Sequence, residues 1–472
     1  MRAVEKNISF PDIELEAIQA VYFIGIGGIG MSALARYFNR TGKKVFGYDH
    51  TATQLTQKLE AEGIHIHFED QVTLIPSEFT DIYQKNALVI YTPAIPLAHK
   101  ELNYFKSKGY NLLKRSQALG VITGNTHGLA VAGTHGKTTT SCILAHIIHA
   151  YGEPLSAFLG GIASNFDSNF VHEEGAKLTV VEADEYDRSF LTLHPIGAII
   201  TSTDADHLDI YGEEGELLKS FRMFAEQVSG VLLLHEDITE GLTENKALQY
   251  SPEKILTYGW NTEADYQITS RILKEGSYVM DIKTPHGELL NIVFPMAGKH
   301  NTENALAALA LAAESGLDIN KLAEGLASFK GIKRRFETHV NTSDHIYIDD
   351  YAHHPTELNA AISATKELYP NKKLTGIFQP HLFSRTKDFA DEFAASLSKL
   401  DQVILLDIYP ARERPLEGVT SGWLLEKIST QKKLLSKEET LHWVKSQKPE
   451  LLMTLGAGDI DQLVTPIKQA LS

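Results

Sequence analysis

The sequence predicts an α/β protein of three domains, each a parallel sheet with helices on its faces. Three observations predict it. Strand-like apolar runs alternate with helical patterns along the whole chain, the pattern of parallel strands joined by crossover helices. The alternation restarts twice, at Leu129 and after Gly331-Ile332-Lys333-Arg334-Arg335. The length, 472 residues, suits two to four domains at about 100–200 residues each. The predicted domains are residues 1–122, 123–332 and 333–472.

In order along the chain, VYFIGIGG is an apolar run ending in glycines, and IGMSALARYFNRTG follows at helical period. VFGYD and ALVIYTP, from Ala87 to Pro93, add strands. The second domain repeats the device with LAVAG as strand, THGKTTT as turn and SCILAHIIHAYG as helix. LTVVEADE and IGAIITSTDADHLD are further strands that end in acidic clusters. From Tyr266 to Phe294 the texture changes to YQITSRIL, YVMDIKT and LLNIVF, broken at Glu275-Gly276-Ser277 and Pro285-His286-Gly287. That reads as antiparallel hairpins forming a small side sheet. An Ala/Leu helix begins in AGKHNTENALAALALAAESG. The third domain has strands in HIYIDDYAHHP, LTGIFQP, QVILLDIYP and LLMTLGAGD, with helices in PTELNAAISATKELYP, TKDFADEFAASLSKL and SGWLLEKI.

Composition narrows the functions. Lys and Arg total 44 against 60 Asp and Glu, a net charge of −16. That excess argues against a nucleic-acid partner, whose phosphates need cations. One cysteine, Cys142, excludes an internal disulfide framework or a multi-cysteine zinc site and fits a reducing, cytoplasmic setting. No apolar run reaches the ~20 residues that span a bilayer, and MRAVEKNISFPDIELEAIQ lacks the apolar core of a signal peptide. No membrane partner is expected. Any anionic ligand must be held by a local device.

Two such devices are visible. Gly25-Ile26-Gly27-Gly28-Ile29-Gly30 carries G-x-G-x-x-G at Gly25, Gly27 and Gly30, with Gly28 between. It joins a strand to a helix, so backbone N–H groups can approach a pyrophosphate at the helix N-terminus, as in Rossmann-like domains. Asp49 ends the next strand, where an acid can meet a ribose hydroxyl. A nicotinamide cofactor, another nucleoside diphosphate, or a bare glycine turn all remain open from this loop alone.

Gly133-Thr134-His135-Gly136-Lys137-Thr138-Thr139 is the more specific device and makes the central domain P-loop-like. Its N–H groups can cradle β- and γ-phosphates, Lys137 adds a point charge, and a Thr hydroxyl can reach Mg²⁺. Val131 stands where the full pattern has glycine, so the loop is a shortened variant. Mg²⁺ wants hard oxygen ligands. VVEADEYD offers Glu182, Asp184, Glu185 and Asp187, and TSTDADHLD offers Asp204, Asp206, His207 and Asp209. Strand alternation puts Glu182 and Asp184 on one face and Glu185 on the other. Glu182 leads the candidate metal ligands and His207 is the second, with helix capping as the plain alternative for any single acid and a capped core histidine as that for His207.

Three polar clusters remain. Asn301 and Asn304 share a helix face at a spacing of three and can grip a base or phosphate, or simply cap the helix. Arg335, at the predicted junction, is either a solvated linker cation or an arginine presented to a phosphoryl group. Asp349-Asp350-Tyr351-Ala352-His353-His354-Pro355 and Phe378-Gln379-Pro380-His381-Leu382-Phe383-Ser384-Arg385-Thr386 end two strands on one sheet edge, where α/β proteins place ligands.

Together GIGGIGMS, GTHGKTTT, VVEADEYD, ADHLDIYG, GKHNTENALAA, GIKRRFE, DDYAHHPTE and FQPHLFSRT resemble the Mur ligase family, in that family's order and over essentially the whole chain. The resemblance implies ATP-dependent amide formation through an acyl phosphate. It implies that the first, Rossmann-like domain binds a UDP sugar through Gly25, Gly27, Gly28, Gly30 and Asp49. It implies an ATP site at Gly133 to Thr139 with Asn301, Asn304 and Arg335. Lys137, Glu182, His207, Arg335 and Asp350 would carry the chemistry, with Mg²⁺ at Thr138, Glu182 and His207. Tyr351, His353, His381 and Arg385 would face the acceptor side from the Rossmann-like third domain. The glycine start and the Asp-Asp-Tyr-Ala-His-His-Pro run resemble the members that add L-alanine to UDP-N-acetylmuramate. Lys219 stands a few residues early of the lysine that some members carbamylate, and that modification is not carried over. Gln379 and Leu382-Phe383 fall where amino-acid specificity varies.

Three competing readings stay on the page. A tripeptide ligase would share fold, ATP and sugar. A nicotinamide-dependent oxidoreductase would leave GTHGKTTT and the acidic strand ends without a role. A regulatory P-loop ATPase would leave the third domain's sheet edge without one.

Overall fold

The computed structural model describes residues 13–472 apart from 80–83, 85, 93, 94, 97, 205–213, 244–251 and 412. The chain divides into two compact units: Met1–Thr269 with Ile282–Leu290 and Asn304–Leu326, and Ser270–Asp281 with Asn291–Glu303 and Ala327–Ser472.

Three sheets follow the three rounds of the sequence. The first is parallel: β1 (Ala20–Ile24), β2 (Lys44–Tyr48), β3 (His65–His67), β4 (Ala87–Tyr91) and β5 (Asn111–Lys114), in the order β3-β2-β1-β4-β5. All five residues of β1 are buried, which is why AVYFI is unbroken apolar chain and not an alternating strand. The switch in strand order falls beside β1, so the glycine turn after it opens at the crevice where such sheets bind ligands.

The second sheet comprises β6 (His127–Ala132), β7 (Leu155–Ala163), β8 (Ser168–His172), β9 (Leu178–Glu182), β10 (Gly197–Ile200), β11 (Val231–His235), β12 (Lys254–Gly259), β13 (Tyr266–Lys274), β14 (Ser277–Thr284) and β15 (Gly287–Phe294). Its order is β15-β14-β13-β12-β11-β10-β6-β9-β7-β8. The strands expected as hairpins, β13 to β15, join the rest through the pairs Tyr258↔Tyr266 and Gly259↔Gln267. The third sheet has β16 (Glu337–Asn341), β17 (Ile346–Asp350), β18 (Leu374–Phe378), β19 (Gln402–Leu405), β20 (Gln431–Leu434) and β21 (Leu451–Leu455), ordered β16-β17-β21-β18-β19-β20. Only β16 runs antiparallel to its neighbour.

The packing inside the first unit runs across residue 122 without a break. Val21, Phe23, Leu34, Phe38 and Ile122 share one buried cluster with Ala130, Phe158, Phe170 and Val181. The joint is polar as well as apolar: Arg36 Nη1 donates to Asn169 Oδ1 (3.0 Å), and Asn169 Nδ2 donates to the Ile29 carbonyl (2.7 Å). The third sheet carries its own cores, one around Ile348, Phe378, Phe393 and Leu455 and one around Tyr347, Ile404, Ile460 and Ile467.

Candidate active site

The second glycine turn is a braced phosphate loop. Gly133 (φ 131°) and Gly136 (φ 81°) both hold left-handed backbone, which costs least without a Cβ. Thr201 and Ser202, just past β10, hold the loop from behind. The Thr134 N–H donates to the Ser202 carbonyl at 3.1 Å, and the His135 N–H donates to Ser202 Oγ at 2.9 Å. Thr201 Oγ1 donates to the His135 carbonyl, and it fills the space a Cβ on Gly133 would need. The helix Lys137–Tyr151 starts at Gly136 with no side-chain cap. Its first N–H groups therefore stay available for an anion at the positive end of the helix dipole. Asn304 lies against the same loop, since a Cβ on Gly136 would come within 2.8 Å of its Oδ1.

Lys137 folds back onto this loop. Its Nζ donates to the Gly133 carbonyl at 2.7 Å and to Glu185 Oε1 at 2.9 Å. Burial opposes the ammonium, but Glu185, Asp184 and Glu182 outweigh it and hold the Lys137 pKa above its ordinary value. Glu185 was expected on the far side of its strand from Glu182. That expectation fails because β9 ends at Glu182, so period-two alternation does not reach residue 185. Past the strand, Asp184 Oδ1 accepts from the Tyr186 N–H (3.1 Å), and the chain turns Glu185 inward to a side chain with 0% exposure.

Glu182 rests against β7. Its Oε2 accepts from the Gly160 N–H at 3.1 Å, and its carboxylate takes the space of a Cβ on Gly160. A carboxylate such as that of Glu182 and the Thr138 hydroxyl are hard oxygens of the kind Mg²⁺ takes together with phosphates and water. His207 lies outside the described residues. His135 Nε2 pairs with Asp204 at 3.4 Å. Among the described residues no three His, Cys, Asp or Glu side chains cluster as a metal cage.

In the first glycine turn, Gly25 (φ 86°) makes the turn. Gly27 lets Asp49 approach: the Gly27 N–H donates to Asp49 Oδ2 at 2.7 Å. Asp49 Oδ1 accepts from the Thr51 N–H at 3.2 Å. The acid expected at a ribose thus also braces the loop. Gly28 precedes the helix Ile29–Arg40, again without a side-chain cap, and Gly30 lies under the Arg115 guanidinium.

In the second unit, β17 and β18 flank β21 with Asp350 and Phe378 both level with Leu455. The two polar runs therefore leave the sheet side by side. Ring centroids are 5.3 Å apart for Tyr351 and His353, 6.0 Å for His353 and His381, and 5.7 Å for His381 and Tyr409. Arg335 lies 4.9 Å over the Tyr351 ring, and Arg385 is buried on the helix Phe383–Asp388. Asp350 accepts the N–H groups of Phe336 and Ala352, both at 2.7 Å. Burial nevertheless raises its pKa to about 6, against the lowering effect of Arg335 and those N–H groups. Gln379 is a clamp: its Nε2 donates to Asp459 Oδ1 (2.8 Å) and its Oε1 accepts from the Ile460 N–H (2.9 Å). Asn301 is buried in the same unit on the helix Lys299–Glu314.

Comparison with known proteins gives the family. Residues 20–127 match the Mur ligase family, catalytic domain; residues 131–312 match the Mur ligase middle domain; residues 334–459 match the Mur ligase, glutamate ligase domain. The UDP-N-acetylmuramate–L-alanine ligase of Flavobacterium psychrophilum is 50% identical over 460 residues, 97% of this chain and 99% of that protein. The chain belongs to the Mur ligase family. The Porphyromonas gingivalis protein of the same name is 47% identical over 459 residues, 96% of this chain and 99% of that protein. A solved UDP-N-acetylmuramate–alanine ligase from Thermotoga maritima superposes with a TM-score of 0.76 at 26% identity, over 96% of this chain and 98% of its own. The three-domain α/β architecture of the Mur ligases is thus the architecture of this chain. Among its described residues no helix is long and apolar enough to cross a membrane.

Within this Mur ligase, the structure brings Lys137, Thr138, Glu182 and Asn304 around one loop, and Tyr351, His353, His381 and Asp350 along one sheet edge. Sequence reasoning named Glu185 but turned it the wrong way, and it missed Gly160, Thr201, Ser202, Tyr409 and Arg115. The Gly160-Gly161 pair inside a strand was the one readable signal, since strand glycine marks close approach of another group.

Proposed function

We propose that the chain joins L-alanine to the lactyl carboxylate of UDP-N-acetylmuramate at the expense of ATP, in the building of a peptidoglycan precursor. The full-length likeness to proteins of that name, near 50% identity over 97% of the chain, carries the reading. The braced loop around Lys137 supplies its chemistry.

A carboxylate oxygen attacks the γ-phosphorus, ADP leaves, and an acyl phosphate forms. The alanine nitrogen, having given up a proton, attacks the carbonyl carbon, and inorganic phosphate leaves. Positioning and charge neutralisation do most of this work. Lys137 meets the γ-phosphate, and the uncapped helix N–H groups and Gly133 to Thr139 hold the phosphate chain, with Asn304 alongside. Thr138 and Glu182, with His207, would hold Mg²⁺, which adds positive charge against the phosphates. Asn301, Arg335 and Asp350 are assigned to ATP. Tyr351, His353, His381 and Arg385 are assigned to the acceptor side. Gly25, Gly27, Gly28, Gly30 and Asp49 are assigned to the UDP sugar. We place the enzyme in the cytoplasm, where ATP and UDP sugars are available.

The test is incubation with UDP-N-acetylmuramate, Mg·ATP and either L-alanine or the L-Ala-γ-D-Glu-diaminopimelate tripeptide, following ADP and product mass. L-alanine is expected to turn over. Turnover with tripeptide alone would move the chain to the recycling ligases, and turnover with neither would overturn the ligase reading.

A further inference from the structure

Arg115 is placed in a way that protein stability does not explain. It opens the helix Arg115–Gly124 directly after Lys114, and a cation in the first turn opposes the helix dipole. Its ion pair with Asp184 Oδ2 is long, 3.9 Å, between side chains 32% and 40% exposed. Such a pair adds little.

Its position does match a ligand. A Cβ on Gly30 would come within 2.8 Å of Arg115 Nη1 and 3.1 Å of its Cδ. The guanidinium therefore lies on the first turn of the helix Ile29–Arg40, and glycine at position 30 is what admits it. That helix has no side-chain cap at Gly28. One uncapped helix N-terminus and a planar fork of donors meet there, in a chain of net charge −16. Arg115 also lines a cleft with Ser116, Glu182, Asp184 and Ser189, so it stands between the first glycine loop and the acidic end of β9. Arginine at such a point suits bidentate recognition of phosphate.

We propose that Arg115 binds the pyrophosphate of the sugar nucleotide beside the N–H groups of the first glycine loop. This rests on the reading that the loop holds a UDP sugar.

The experiment compares wild type, Arg115→Gln and Arg115→Lys by calorimetric titration with UDP, UDP-N-acetylglucosamine and UDP-N-acetylmuramate. KM for each substrate and the thermal midpoint are measured in parallel. UDP-N-acetylglucosamine has the pyrophosphate without the lactyl carboxylate. Arg115→Gln is expected to weaken all three ligands alike, by about ten- to a hundred-fold as for lost charge-assisted hydrogen bonds. Arg115→Lys should recover part of the loss, and KM for ATP and the thermal midpoint should stay near wild type. Unchanged UDP binding overturns the proposal. So does a loss confined to UDP-N-acetylmuramate, which would assign Arg115 to the carboxylate. A parallel loss of ATP affinity and thermal midpoint would assign it to packing and also overturns it. A wild type that binds UDP through Arg115 yet never ligates L-alanine would remove the proposed reaction and leave this assignment standing.

Discussion

At the scale of single residues, the Lys137–Glu185 pair decides the most. Glu185 has no exposure and Lys137 13%, so breaking the pair strands a buried charge. Lys137→Ala is expected to abolish ligation and to cost about 3–5 kcal/mol in denaturant unfolding. Glu185→Gln, which keeps an acceptor for the ammonium, should cost less stability and chiefly raise KM for ATP. Wild-type turnover in Lys137→Ala would remove Lys137 from the site. The loop itself was legible, because glycine spacing and a following lysine are local features. Glu185 was not, because its inward turn depends on where β9 stops, and a strand end is set by tertiary pairing with β6 and β7. Thr201 and Ser202 were hidden for a related reason. Their partners lie 66 to 68 residues away in sequence, beyond any short motif.

At the scale of elements, the segment from Gly331 to Glu337 is strained and tied down. Arg334 (φ 63°) and Phe336 (φ 49°) are left-handed without being glycine, which is unfavourable unless the surroundings enforce it. The Arg334 N–H donates to Glu337 Oε2 (2.8 Å), and Asp350 takes the Phe336 N–H. Asp350→Asn retains only one accepting oxygen. It should cost about 1–3 kcal/mol and loosen hydrogen-exchange protection at Phe336 and Ala352. GIKRRFE and DDYAHHP were readable as motifs, but not their dependence on each other.

A second element, the helix Lys100–Lys108, carries a buried carboxyl, Glu101. Burial first, and Asp70 second, push Glu101 up to about 7, although Tyr22 Oη (2.8 Å) and the Gln71 N–H (3.2 Å) donate to it. A carboxyl raised on folding stabilises fully below its unfolded value, near 4.5, and that contribution is lost as pH rises through about 7. Glu101→Gln should therefore flatten the stability profile across that window. An unchanged slope in urea midpoints against pH would assign the titration elsewhere.

At the scale of the molecule, three α/β rounds were legible from alternation alone, while the continuity of the core between the first two was not. Apolar residues of the helix Ile29–Arg40 look the same in sequence whether they cover their own sheet or meet Phe158 and Phe170. A fragment ending at residue 127 should expose that face and aggregate. A fragment of residues 327–472, which contains both cores of the third sheet, should fold cooperatively. Circular dichroism and gel filtration check both, and a soluble monomeric first fragment would contradict the shared core.

That shared core has a consequence for the reaction. The loop assigned to the sugar nucleotide and the loop assigned to ATP stand on one continuously packed body. On those assignments, folding itself is expected to fix the relative placement of nucleophile and phosphoryl donor before the ligands arrive. The entropy of bringing two anions into register is lost once, during folding, and every turnover afterwards begins from a frame already set. Substitutions at Phe158 or Phe170, which belong to neither loop, should therefore slow the first chemical step by letting the two seats drift.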